Sequence, residues 1–429
     1  MILSKYIKKF PCDNDSEYII LYSTRKASAI RIEREMFDDI KEGNISDEDV
    51  ELLSDLEFLV TSEKTEREEL ENYIEYRDNL GTEVRVTVVL NLDCNFNCTY
   101  CIEGKIKGKH YFSKDNEDLL FKFIEDLFTN DKDSLRIDFY GGEPLLSKDL
   151  IRSISEKAIK FVKKRDAKYS FNMVSNGSLL TRKTAEEFSK LCFEGVQITL
   201  DGNRENHDKN RPFVNGSPSF DIILKNIKES YQFCKIIINC NYQESNYKEF
   251  LKLPEFLKKE SLGPDKIDII FTPVIDQTLD QTAQGYTRGF SNTLPWMVEA
   301  EMSLRAELVQ TGYDIKDIVP TVCMIERKDM FYIHYNGDIY KCPNFLNHPK
   351  FVIGNLKDGI KDYTESHKLG IWKKEKCFHC EYLPLCFGGC RFFSLIRHGN
   401  IDEIDCWKEY YDINLETLVK QDLRSKGVL

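Results

Sequence analysis

The stretch LNLDCNFNCTYC, residues 90–101, decides how the rest of the chain is read. It carries Cys94, Cys98 and Cys101 at C-x3-C-x2-C spacing, directly after an apolar, β-branched run. Thiolates are soft ligands that suit iron–sulfur clusters or zinc. Three of them this close hold three corners of a four-iron cube and leave one iron open, which is what a reactive site needs. The bland alternative is a zinc knuckle completed by His110 or a distant cysteine.

Working outward, the run before the cysteines reads as the first of six strands. These are Arg85–Leu92, Leu135–Tyr140, Tyr169–Val174, Val196–Leu200, Lys235–Asn239 and Ile267–Phe271. Helical periodicity fills the gaps at Asp115–Leu127, Asp149–Lys164, Arg182–Leu191, Phe220–Phe233 and Lys248–Lys259. Alternating strands and helices predict a parallel sheet wound as an open barrel, with reactive groups at the carboxyl ends of the strands.

The 429 residues, 41% hydrophobic and 31% charged, have the composition of a globular chain of two or three domains. No signal peptide and no apolar run of membrane-spanning length are visible, so the expected location is cytoplasmic, with no membrane partner. Fourteen cysteines in a reducing compartment then need a role other than disulfides. The net charge of −12 is concentrated in residues 1–83, which hold 22 acidic and 11 basic residues. That asymmetry argues against nucleic-acid binding and marks the N-terminal segment as a separate unit. In it, Glu17–Ser23 and Ala27–Ile32 read as a hairpin, Glu33–Gly43 as a helix, and Ser46 as the N-cap of a second. Glu66–Leu80 reads as a charged linker helix.

Short motifs follow the strands in order. Gly141-Gly142-Glu143-Pro144 follows the second, Ser175-Asn176-Gly177 ends the third, Thr199-Leu200-Asp201-Gly202 ends the fourth, and Arg211 lies ten residues after Asp201. Each alone is an ordinary strand-end turn. Together with the three cysteines they resemble the radical S-adenosylmethionine (SAM) enzymes. That resemblance implies a SAM-binding [4Fe-4S] cluster on Cys94, Cys98 and Cys101. It also implies SAM contacts at Gly141, Gly142, Glu143, Pro144, Ser175, Asn176, Thr199, Asp201 and Arg211. Cluster-driven cleavage of SAM to a 5′-deoxyadenosyl radical, and hydrogen abstraction from an unactivated carbon, would follow.

Further on, Cys323, Cys342, Cys377, Cys380, Cys386, Cys390 and Cys406 lie in a segment rich in turns. Their spacing resembles the SPASM domain, which holds two auxiliary [4Fe-4S] clusters, although any C-x2-C pair also suits a zinc ribbon. By resemblance, Cys323, Cys342 and Cys390 serve the first cluster and Cys377, Cys380, Cys386 and Cys406 the second. The first then lacks a fourth thiolate; Asp329 stands where some relatives carry a cysteine. Of the other cysteines, Cys192 and Cys234 are expected to be core thiols, Cys240 to face the barrel, and Cys12 to be incidental.

The expected fold is thus α/β, a partial (β/α)6 barrel over 84–310. It is preceded by a small α+β winged-helix-like unit over 1–83 and followed by a SPASM domain over 311–429. The N-terminal pattern resembles the peptide-recognition elements of ribosomal-peptide maturases, and LYSTRKASAIRI, residues 21–32, resembles the geopeptide type. The implied partners are a precursor peptide gripped by its leader as an added strand and reduced flavodoxin or ferredoxin as electron donor. The implied product is a thioether from a cysteine; related enzymes form carbon–carbon links or, in sulfatase maturation, formylglycine. No catalytic base stands out; His207, Asp208 and Asp276 are loop candidates.

Overall fold

The computed structural model describes every residue except Asn14, Ile102, Lys105, 275–292 and Asn347. Asp276 therefore lies outside the described residues.

Three N-terminal strands, β1 (Ile7–Cys12), β2 (Asp15–Ser23) and β3 (Ala29–Glu33), form an antiparallel sheet in that order. The expected hairpin is β2–β3. The first strand escapes a reading by alternation because Lys8, Lys9 and Pro11 interrupt it; proline is tolerated there because β1 is an edge. The helix Arg34–Glu42 ends where Gly43 adopts φ 77, and Ser46 caps the next helix by accepting from the Asp49 N–H at 3.1 Å. The linker helix is two helices, Glu63–Glu71 and Tyr73–Asn79.

Six parallel strands follow: β4 (Glu83–Asn91), β5 (Ser134–Gly141), β6 (Lys168–Ser175), β7 (Phe193–Thr199), β8 (Lys235–Tyr242) and β9 (Ile267–Pro273). They pair in sequence order, each with its predecessor. Helices 114–127, 148–163, 182–189 and 220–230 cover them as expected. The last expected helix is interrupted, because Pro254 cannot continue it and instead begins the helix Leu253–Lys259. Strand alternation puts Ile137, Phe139, Phe171, Met173, Val196, Ile198, Ile236 and Ile238 into one core beneath the helices. The opposite faces carry polar side chains, among them Arg85 and Asp138, paired at 2.5 Å, and Asn239 and Asn241.

The sheet continues beyond β4. Strand β10 (Met330–Ile333) pairs parallel with it as a seventh barrel strand, and β11 (Asp338–Tyr340), β12 (Gly354–Asn355) and β13 (Gly359–Ile360) extend the edge antiparallel. The C-terminal region is therefore continuous with the barrel sheet. It also ends in a long helix, Lys408–Ser425, which a turn-rich pattern does not lead one to expect.

The N-terminal unit has a core of its own around Ile19, Leu21, Phe37 and Phe58, and it also packs against the C-terminal region. Phe10, Ile20 and Tyr22 pack with Tyr382, Leu385, Tyr411, Leu415 and Leu418 in one buried cluster. Two cysteine expectations are corrected. Cys192 is exposed, at φ 66 in the turn before β7, rather than in the core. Cys240 shares the face of Ile236 and Ile238, under the helices, so it points away from the barrel interior; Cys234 is buried as expected.

Candidate active site at the carboxyl ends of the barrel strands

Cys94, Cys98 and Cys101 sit on the loop leaving β4. That loop is held by the 210–214 segment: Asn97 N–H donates to the Pro212 carbonyl at 2.8 Å and Thr99 N–H to that of Asn210 at 2.9 Å. The Phe96 and Phe213 rings meet edge to face at 4.7 Å. All three cysteines are half-buried, and none is in a disulfide.

Gly141 and Gly142 let β5 end against β4. A Cβ on Gly141 would lie 2.2 Å from the Asn91 carbonyl oxygen, and one on Gly142 2.4 Å from that of Asp93. Glu143 is completely buried and accepts from Leu145 N–H at 2.9 Å, Asn176 N–H at 2.8 Å and the Ser175 hydroxyl at 2.9 Å. Burial pushes its carboxyl up, against these hydrogen bonds. These three hydrogen bonds clamp the end of β5 to that of β6 and leave Glu143 Oε2 with one partner. Pro144 opens the following 3-10 turn. Asn176 donates to Asn95 Oδ1 at 2.8 Å and lies 4.0 Å from Cys94 Sγ.

Thr199 ends β7, and Asp201 follows it, fully buried. Asp201 Oδ1 accepts from Asn241 N–H at 3.0 Å, and Oδ2 accepts from the Tyr100 hydroxyl. The same hydroxyl accepts from Arg211 Nη1 at 2.8 Å and Asn241 Nδ2 at 3.2 Å. Tyr100 and Asn241 therefore join the residues that the sequence motifs single out. The sequence signal for Tyr100 is its position, an aromatic immediately before the third cysteine.

His207 is buried within the fold rather than standing free in a loop. Its Nδ1 accepts from Asp201 N–H at 3.0 Å and its Nε2 lies 3.0 Å from the Ser219 hydroxyl, which itself donates to the Arg211 carbonyl at 2.6 Å. Burial drives its pKa well below the usual histidine value. Asp208 accepts from the Ser219 and Phe220 N–H groups, both at 2.8 Å, and so caps the helix Phe220–Ser230.

Two buried polar atoms at this end of the barrel have no hydrogen-bond partner among the described residues: Arg211 Nε, a donor, and Asn91 Oδ1, an acceptor. An orphan donor and an orphan acceptor beside three thiols fit an amino-acid headgroup bound at a thiolate cluster, since its carboxylate accepts and its ammonium donates.

The C-terminal cysteines lie against neighbouring apolar clusters, and Cys390 packs against two of them. Cys323, Cys342 and Cys390 share one apolar cluster. Cys380 and Cys386 are half-buried against the cluster that holds Tyr382 and Leu385, Cys377 lies against the one that holds Phe378 and Leu383, and Cys406 is exposed. Asp329 is engaged elsewhere, its carboxylate taking Lys132 Nζ at 2.6 Å. The carboxylate beside Cys390 is Asp405, which accepts from the Cys390 N–H at 3.2 Å and Trp407 Nε1 at 2.8 Å. Among the described residues no three His, Cys, Asp or Glu side chains close on a point as around a single ion. A cluster of several irons spreads its ligands over more space than one ion does.

Residues 88–256 match the model of the radical SAM superfamily. The cysteine-type anaerobic sulfatase-maturating enzyme of Clostridium novyi is 27% identical over 366 residues, covering 76% of this chain and 93% of that protein. The radical SAM cyclopropyl synthase TigE of Paramaledivibacter caminithermalis is 22% identical, covering 79% and 75%. Among solved structures, native anSMEcpe with bound AdoMet and the Cp18Cys peptide superposes with a TM-score of 0.62 at 17% identity, covering 81% of this chain and all of that one. Streptococcus suis SuiB bound to its precursor peptide SuiA gives 0.52 at 14% identity, covering 94% and 98%. No described helix is long and apolar enough to cross a membrane. The domain that begins within β4 and carries the three-cysteine loop is a radical SAM domain, and the chain is a radical SAM enzyme.

Proposed function

We propose that this enzyme modifies a ribosomally made precursor peptide in the cytoplasm, forming a thioether from a cysteine of the core peptide. The carrying observation is the N-terminal sheet, whose edge strand β3 pairs with no further strand among the described residues. An extended leader adds there through main-chain hydrogen bonds. The precursor-bound SuiB structure and the peptide-bound anSMEcpe structure support a peptide as the substrate class. Cys94, Cys98 and Cys101 bind the SAM cluster. Cys323, Cys342 and Cys390 hold one auxiliary cluster, and Cys377, Cys380, Cys386 and Cys406 the other. When bound, the first cluster and SAM supply a 5′-deoxyadenosyl radical, with the electron coming from flavodoxin or ferredoxin.

The chain's own residues do the rest. Arg211, held by Tyr100, offers its free Nε to the SAM carboxylate, and Asn91 Oδ1 accepts from the ammonium. Glu143 fixes the two strand ends, and Asp201 and Thr199 border the nucleoside side. The N-terminal unit resembles a peptide-recognition element, here of the geopeptide type.

Formylglycine formation is the second reading, favoured by the likeness to the sulfatase-maturating enzyme of Clostridium novyi. Anaerobically reconstituted enzyme, given SAM, reductant and the peptide encoded beside its gene, decides between them. A product with a blocked thiol and no aldehyde supports the thioether. An aldehyde trapped by a hydroxylamine probe supports formylglycine. If no 5′-deoxyadenosine forms with any peptide, both readings fail.

A further inference from the structure

The segment 375–387 carries Cys377, Cys380 and Cys386. Its only regular structure is two four-residue helices, Glu375–Phe378 and Leu383–Cys386. Helices this short leave most of their terminal N–H and C=O groups unsatisfied and do not stand by themselves. Their support comes from the far end of the sequence. The Tyr6 hydroxyl, fully buried, donates to the Phe378 carbonyl at 2.9 Å, one residue after Cys377. Thr24 Oγ1 lies 2.7 Å from the Glu381 carbonyl, one residue after Cys380. Lys8 pairs with the Glu381 carboxylate, its ammonium 4.6 Å above the Tyr382 ring. Arg67 forms a two-pronged pair with Glu375 at 2.6 and 3.0 Å and stacks its guanidinium 4.2 Å over the Phe378 ring.

Apolar packing encloses the same loop from two sides. Phe10, Ile20 and Tyr22 lie on one side with Tyr382 and Leu385, against which Cys380 and Cys386 pack. Tyr6 and Leu70 lie on the other with Phe378, Leu383 and Phe387, against which Cys377 packs; the Tyr73 and Phe387 rings stack at 5.0 Å.

We infer that the N-terminal unit is the outer wall of the four-cysteine site, and that Tyr6 and Arg67 are positioning residues for its thiolates. The inference rests on reading Cys377, Cys380, Cys386 and Cys406 as ligands of an auxiliary cluster. The physical reason is that a cube fixes the separation of its four sulfurs. The carbonyls of Phe378 and Glu381 must then be held in place while the loop has no sheet or long helix to hold them.

The test uses the full chain, reconstituted anaerobically, as wild type, Tyr6→Phe, Arg67→Gln and Cys377→Ala. Wild type is expected to hold about twelve irons, for three cubes. Tyr6→Phe removes one hydroxyl and keeps the packing, so it guards against simple misfolding. In it and in Arg67→Gln, four of those irons pass to a chelator at least tenfold faster than in wild type. The SAM-responsive EPR signal keeps its amplitude. Unchanged iron release and an unchanged spectrum in both variants overturn the inference. A wild type with about eight irons or fewer, and a Cys377→Ala variant that loses none, overturns the cluster reading instead.

Discussion

Tyr100 shows how much one hydroxyl can carry. It gives its proton to the buried Asp201 carboxylate and takes hydrogen bonds from Arg211 and Asn241. Tyr100→Phe leaves a buried carboxylate and a buried guanidinium each short of a partner, at a cost of about 2 kcal/mol. Urea unfolding of the variant should show that loss, and SAM should bind less tightly, because the freed guanidinium no longer has a fixed direction. His207 predicts a pH effect. Its folded pKa is depressed below the unfolded value of about 6.5. The folded state therefore binds fewer protons than the unfolded one just below that pH, and the stability this group contributes is present above it and lost as pH falls. Thermal unfolding between pH 7.5 and 5 should show a loss that shrinks in His207→Gln. The cysteines are legible at this scale because ligand spacing is a local property of sequence. The tasks of Tyr100 and Asn241 are not, because their partners stand 40 to 141 residues away.

At the scale of elements, the strand ends are set by backbone touching backbone. The Cβ of Gly142→Ala would sit 2.4 Å from the Asp93 carbonyl oxygen, and no side chain can move aside to relieve it. The variant is expected to lose about 2–3 kcal/mol of stability and its SAM affinity, since β4 and β5 must part to admit the methyl. Isothermal titration of SAM and a denaturant midpoint check both. Short apolar, largely β-branched runs between helical segments make all six barrel strands readable from local pattern alone. The four-residue β10 is not, because so short a run has no period of its own and is a strand only by pairing with β4. The helix Pro295–Thr311 does carry local signals: proline at its first position and Gly312, at φ 79, after its last.

At the scale of the molecule, the acidic N-terminal unit, the barrel and the C-terminal region share buried surface rather than meeting at linkers. Arg327 pairs with the buried Asp78, Tyr22 donates to the Ile318 carbonyl at 2.6 Å, and Arg305 pairs with Asp422 between two late helices. Removing residues 1–82 would bare Tyr382, Leu385, Tyr411 and Leu418. The shortened chain is expected to melt at lower temperature and to bind the dye ANS where the full chain does not.

By itself the sequence determined the parallel α/β barrel, the three-cysteine loop at its first strand and the motifs that follow the next three. All of these follow from periodicity and spacing within a few tens of residues. Only the tertiary structure decided what touches what. It buried His207 against Asp201 and Ser219, set Asp208 at a helix start, turned Cys240 away from the barrel interior, and had Glu143 hold two strand ends together. It also added a seventh strand and laid the N-terminal sheet against the Cys377–Cys386 loop. Burial and hydrogen-bond partnership are properties of distant residues brought together, and no local pattern encodes them.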